Sequence, residues 1–216
     1  MESTLNLLKY TKRLNQNLMP APEDKKFREQ AIYVRPPKEQ VEAKTFQLRA
    51  PEGQFDLEAT FNDKTESALH VLARVKKPKK PAGKGAPPAP APAAPRGEFT
   101  GDVVAVLTEV FGPSDALQVS KFKDETKGTI EGAPKNQFKR LIFSAGKKEV
   151  AVYIYKQDIY DVALIFVYDV GIRQTISSKV DLCLGSFSVG QRATNKYNGG
   201  SVVEEPADDQ GGATVF

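Results

Sequence analysis

Residues 138–169 read FKRLIFSAGKKEVAVYIYKQDIYDVALIFVYD, and this stretch decides the fold. It holds three strand-length runs rich in β-branched and aromatic residues: Phe138–Ser144, Glu149–Lys156 and Val162–Asp169. Gly146-Lys147 and Asp158 stand between them, where turns want residues that tolerate unusual backbone angles. In the middle run Val150, Val152 and Ile154 alternate with Ala151, Tyr153 and Tyr155, the period of a strand whose successive side chains point to opposite faces. The last run is apolar on both faces, which predicts a central or doubly covered strand.

Helical spacing flanks this meander. Before it, Val103, Val104, Leu107, Val110 and Phe111 recur on one stripe until Gly112-Pro113 stops the helix. Leu117–Phe122 and Gly128–Glu131 read as weak strands around the charged turn Lys123-Asp124-Glu125. After it, Ile172, Ile176, Val180, Leu184 and Phe187 trace a second helix, with Gly190 as the expected terminator. Helices against an antiparallel sheet make an α+β domain, expected over 98–197. The element order over 138–190, a three-strand meander leading into a final helix, resembles the profilin-like layout of small regulatory domains. That resemblance implies a shape and nothing about a site.

A second alternating region lies upstream. Phe46, Leu48 and Ala50 alternate with polar neighbours, and so do Phe55, Leu57, Ala59 and Phe61 after Pro51-Glu52-Gly53. Gly53 suits a hairpin loop. For Ser67–Val75 a strand is favoured, although Ala68, Leu69 and Leu72 also fit a helix. These pieces predict a small β-meander domain over 41–76. A three-stranded sheet of this size is marginal alone, so its apolar face needs a cover. Phe46, Leu48, Phe55, Leu57 and Phe61 are therefore the candidate protein-interface residues. The cover is the C-terminal domain, a second copy or another protein. Residues 1–40 form an arm with a weak amphipathic helix, its Leu7, Leu14 and Leu18 near one face.

Between the two regions, 77–97 form a Pro/Ala/Lys linker, in which prolines preclude ladders and helices and favour extended geometry. The stretch from Arg74 to Arg96, both included, holds seven basic residues and no acid, whereas Glu204–Asp209 carries four acids and no base. The last segment, 198–216, has little to bury and is expected to be a disordered acidic tail. Lys76, Lys77, Lys79, Lys80 and Lys84 are possible nucleic-acid contacts, since lysines neutralise phosphates without reading sequence. No aromatic interleaves them to stack on bases.

Catalytic chemistry has little to draw on. The one cysteine, Cys183, sits between two leucines and reads as a small buried apolar residue. The one histidine, His70, reads as a sheet-face or surface side chain. GKGAPP lacks the spacing of a phosphate loop, and GSFSVG lies in an apolar helical stripe rather than at a nucleophile elbow. No catalytic residues, cofactor or metal site are expected. Tyr153, Tyr155, Tyr160 and Tyr168 are expected to line the sheet, or to form an interface if their face is exposed. No apolar run is long enough to cross a bilayer and the first 20 residues lack an apolar signal core, so no membrane insertion and a cytoplasmic location are expected. The leading expectation is a non-catalytic assembly or adaptor subunit with a protein partner or self-association. The alternative is a nucleic-acid-binding accessory protein.

Overall fold

The computed structural model describes residues 2–44, 47–64, 67–76, 96–112 and 138–199. Its centre is one six-stranded antiparallel sheet. The chain enters through helix α1 (Glu2–Asn17), a short helix α2 (Lys25–Glu29) and strand β1 (Ile32–Tyr33). It continues through β2 (Val41–Glu42), β3 (Leu57–Asn62), β4 (Ala68–Val75) and helix α3 (Phe99–Phe111). Then come β5 (Phe138–Ala145), β6 (Lys148–Gln157), β7 (Tyr160–Asp169), helix α4 (Arg173–Ser186), β8 (Ser188–Val189) and helix α5 (Gly190–Tyr197). The strand order is β2-β3-β4-β7-β6-β5, with β1 and β8 paired separately. The architecture is α+β, as the periodicity predicts.

The meander β5–β6–β7 forms where the alternation places it. Gly146 closes its first turn at φ +62°, a backbone angle that L side chains avoid, and Asp158 closes the second at φ +52°. β7 is central: it pairs with β6 on one side and, from Ala68↔Val167 to Val75↔Tyr160, with β4 on the other. Its two-faced apolar sequence is thus matched by burial on both faces.

That β4–β7 ladder crosses the boundary drawn at the linker. Strands from 41–76 and from 138–169 share one sheet and the same two cores. On one face Leu57, Phe61, Leu69, Val71, Leu164 and Phe166 meet Leu18, Phe27 and Ile32 from the N-terminal elements and Val180, Cys183 and Leu184 from α4. On the other, Leu72, Val152, Ile154 and Ile165 meet Phe99, Val103, Val106 and Leu107 of α3, with Leu48 and Phe55 beside them. The cover that the upstream sheet needs is supplied within the chain.

Several local expectations change. Residues 47–50 are not in a strand, Phe46 lies outside the described residues, and the neighbour of β3 on that side is the two-residue β2. Pro51 and the turn after it interrupt the alternation before pairing can start, so β3 begins only at Leu57. The strand expected over Ser67–Val75 forms as Ala68–Val75, since β3 and β7 offer ladders on both its sides. The weak strands at 117–122 and 128–131 lie outside the described residues. The helix after β7 ends at Ser186 without help from Gly190. Gly190 instead opens α5 at φ +63°, after 188–189 have paired with 32–33. The sequence signals no helix after Gly190, because α5 is short and polar, with Ala193 its only buried residue.

Candidate functional site

Leu48, Phe55, Leu57 and Phe61 are at most 6% exposed and do not share one face: Leu57 and Phe61 pack into one core and Leu48 and Phe55 into the other, because the turn before β3 breaks the alternation. Of the five linker lysines only Lys76 is described, and its amine lies 3.5 Å from the Asp161 carboxylate. Cys183 is fully buried, and burial pushes its thiol well above the usual range. His70 is buried on β4, where its Nδ1 lies 2.9 Å from Thr60 Oγ1. Removal from water pulls its imidazole down to about 4. Tyr153, Tyr155 and Tyr168 are buried and line the sheet, Tyr168 donating to the Glu149 carboxylate. Tyr160 is half-buried.

A charged cleft of about 330 Å³ opens where the chain leaves β4 and returns into α3, lined by Arg74, Lys76, Arg96, Glu98, Phe99, Lys156 and Asp161. Its charges are paired. Arg74 is ion-paired with Asp102, and it donates through Nε to Gln54 O (2.8 Å) and through a terminal nitrogen to Gly97 O (3.0 Å). Its guanidinium also lies 5.1 Å from the Phe55 ring centre and 5.5 Å from that of Phe99. Arg96 pairs with Asp56 at 2.9 Å, and Asp56 accepts the Val75 backbone N–H at 2.9 Å. Lys156 reaches Glu98 at 2.6 Å, while Glu98 also caps α3 by accepting from the Gly101 N–H, which together hold its carboxyl down at about 2. The two ends of 77–95 are thereby fastened to the same few side chains. The cleft is a clasp rather than a receptor, because each of its cations already has a carboxylate.

A second polar surface differs in this respect. β1 and β8 bring Tyr33 beside Tyr197 of α5, their rings edge-on with centroids 5.1 Å apart. The Arg28 guanidinium lies 5.0 Å from the Tyr197 ring centre, and the Lys196 ammonium 5.1 Å from that of Tyr33. Such contacts use the negative face of an aromatic ring. Tyr197 fixes its ring by donating its hydroxyl to Ile32 O at 2.9 Å. Arg35, next to Tyr33 in charge, is held by the carbonyls of Met19 (2.8 Å) and Leu18 (3.3 Å) and by Asn15 Oδ1 (3.0 Å). Lys196 donates to Ser186 O at 2.9 Å. Burial, and then the neighbouring Arg192, lower its amine to about 8.

Among the described residues no carboxylate lies within ion-pair distance of Arg28, Arg35, Arg192 or Lys196. Asp24, whose charge acts on Tyr197, accepts from the Lys26 N–H at 2.8 Å and interacts with Glu42. The result is a half-exposed tyrosine pair with a cation over each ring, and with Arg35 close enough to Tyr33 and Arg192 close enough to Lys196 to act on their charge. Sequence reasoning missed it, since its halves are far apart along the chain and meet only through the two-residue β1–β8 pairing. No local pattern announces that pairing.

Among the described residues no group of three or more His, Cys, Asp or Glu could hold a metal ion, and no helix is long and apolar enough to cross a membrane. Fold and surface together define an α+β protein with a doubly covered antiparallel sheet and a cationic, tyrosine-bearing end. No protein-family model matches the chain, and no curated protein matches it. Among solved structures the chain is similar to the cyanobacterial PsbP protein (CyanoP) of Synechocystis sp. PCC 6803, in a solution structure, at 13% identity and a TM-score of 0.45, over 81% of this chain and 93% of that one. A likeness of this size carries no argument about the activity or partners of this chain.

Proposed function

We propose that the chain is a non-catalytic assembly or adaptor subunit, and that it docks an acidic segment of a protein partner on the Tyr33–Tyr197 surface. The observation that carries this reading is a pair of half-exposed tyrosines with a cation over each ring, Arg28 on Tyr197 and Lys196 on Tyr33, neither cation having a carboxylate partner among the described residues. Tyrosine and arginine are the residues that dominate contact energies at protein interfaces. Complementary charge steers the encounter and fixes its orientation. The side chains that ordinarily supply a nucleophile and a base are occupied elsewhere: Cys183 is sealed in the core and His70 is held dry against Thr60.

The test uses a labelled decaglutamate peptide and the full chain carrying Arg28→Glu with Arg192→Glu. Both arginines are exposed, so the fold is expected to survive, which a circular-dichroism melt checks. Wild type should bind the peptide with an affinity that falls steeply with salt, and the double variant should not bind. Equal binding by both proteins overturns the proposal. Salt-sensitive binding of random-sequence DNA that survives this double change, but is lost on neutralising Lys77, Lys79, Lys80 and Lys84, would instead support the nucleic-acid accessory role.

A further inference from the structure

The same surface has a candidate occupant in this chain. We infer that the acidic segment Glu204–Asp209 docks in cis on the Tyr33–Tyr197 surface and competes there with the acidic segment of a partner. The inference rests on the reading that this surface takes acidic segments.

Three observations lead to it. The first is charge: Glu204, Glu205, Asp208 and Asp209 come within six residues with no base among them. They are opposite in sign to the Arg28 and Lys196 cations over the two rings. The second is proximity. Tyr197 and Lys196 are themselves part of the surface, and the described chain ends at Gly199 directly after them. From Gly199 it is five residues to Glu204 and ten to Asp209. At about 3.4 Å per residue that tether reaches roughly 17–34 Å, enough to fold back over Tyr33 and Arg28. A tether of this length holds a weak ligand at an effective concentration on the order of millimolar, so modest affinity suffices for occupancy. The third is uncompensated potential. Arg192 presses on the Lys196 ammonium and neither has a described carboxylate partner, so a carboxylate arriving here relieves a repulsion already present.

The alternatives for this acidic run are weaker. The clasp at the base of α3 has its own carboxylates on each cation, and an added anion would meet Asp56, Glu98, Asp102 and Asp161. At the Tyr33–Tyr197 surface Asp24 acts on Tyr197 and Glu29 follows Arg28 on α2, but Glu29 is paired with Lys25 and no described carboxylate is paired with Arg28 or Lys196.

The experiment compares wild type with a full-length variant whose four acids are neutralised: Glu204→Gln, Glu205→Gln, Asp208→Asn and Asp209→Asn. The probe is the labelled decaglutamate peptide at low salt. The neutralised chain should bind it roughly tenfold or more tightly than wild type, because a tethered competitor has been removed. Adding Arg28→Glu and Arg192→Glu should abolish the gain. If wild type and the neutralised chain bind the probe equally well, the cis inference is overturned while the docking surface stands. If neither binds, both fall. If the neutralised chain gains affinity and keeps the gain after the two arginine changes, the acidic segment acts elsewhere and the inference is overturned.

Discussion

His70 is the residue whose chemistry is set most completely by its surroundings. The β3–β4 register puts it opposite Thr60, whose hydroxyl lies 2.9 Å from the imidazole Nδ1. Burial disfavours the charged ring and lowers its titration to about 4. In the unfolded chain the ring takes up its proton near 6.5, so between those two values the unfolded state holds more protons than the folded one. Stability should therefore be complete above about pH 6.5 and decline as the pH falls towards 4, by about 3 kcal/mol in total. Urea titrations across that window should show the slope in wild type, and the difference from a His70→Gln variant, which does not titrate there, isolates it from the carboxylates. A wild-type slope identical to that of the variant would refute the assignment. The sequence offered a sheet-face histidine as one of two readings. It could not choose, because the partner hydroxyl is ten positions away and is brought opposite only by the hairpin register. Cys183 was legible as a core residue since its immediate neighbours are leucines, and burial needs no partner to be inferred.

At the scale of elements, the root of α3 depends on Arg74. Its guanidinium gathers Asp102 from the first helical turn, the carbonyls of Gln54 and Gly97, and the rings of Phe55 and Phe99. The Arg74 side chain is 7% exposed and that of Asp102 is 19%. Asp102→Ala leaves a nearly dry cation without its countercharge, and should cost about 2–3 kcal/mol, reduced from the fully buried case because Asp102 keeps some water. A double-mutant cycle with Arg74→Ala, followed by urea denaturation, should show coupling above about 1 kcal/mol. Additive effects would mean that the pair contributes nothing. This element also shows where sequence reading stops. Arg74 counts in the sequence as the first of a basic run, yet it is a strand residue aimed into a core. Helix α3 and the meander β5–β7 were legible because their periods repeat over many residues. The alternation over 47–50 was equally regular and did not become a strand, for a period marks which side chains can share a face and not which backbone finds a partner. The half-buried tyrosines of β1 and α5 left no period at all, as each sits in an element too short to show one.

For the whole molecule, the central fact is the seam between β4 and β7. Eight registered pairs, Ala68↔Val167 through Val75↔Tyr160, join the upstream and downstream strands. Both cores draw residues from both sides of that seam. Read as a sequence, a proline-rich segment between two patterned regions suggests two bodies on a spacer. The structure fastens Val75 and Arg96, the flanks of that segment, to the same Asp56 carboxylate, so the chain leaves and re-enters one body at one place. Cooperativity follows from this. Leu57 is 1% exposed and packs in the core face shared with Leu164, Phe166 and Val180. Leu57→Asp puts an unpaired charge there, which should cost about 4 kcal/mol or more. Because the core is shared, the loss should not stop at the upstream strands. Amide exchange read by mass spectrometry should show β3, β4, β6 and β7 losing protection together in the variant. A fragment spanning 98–216 should fail to melt cooperatively, since β7 would lose its β4 ladder and the face covered by Leu18, Phe27 and Ile32. If that fragment folds with a sharp transition, or β6 and β7 stay protected in Leu57→Asp, the two regions are independent bodies and the seam is not what holds the molecule together.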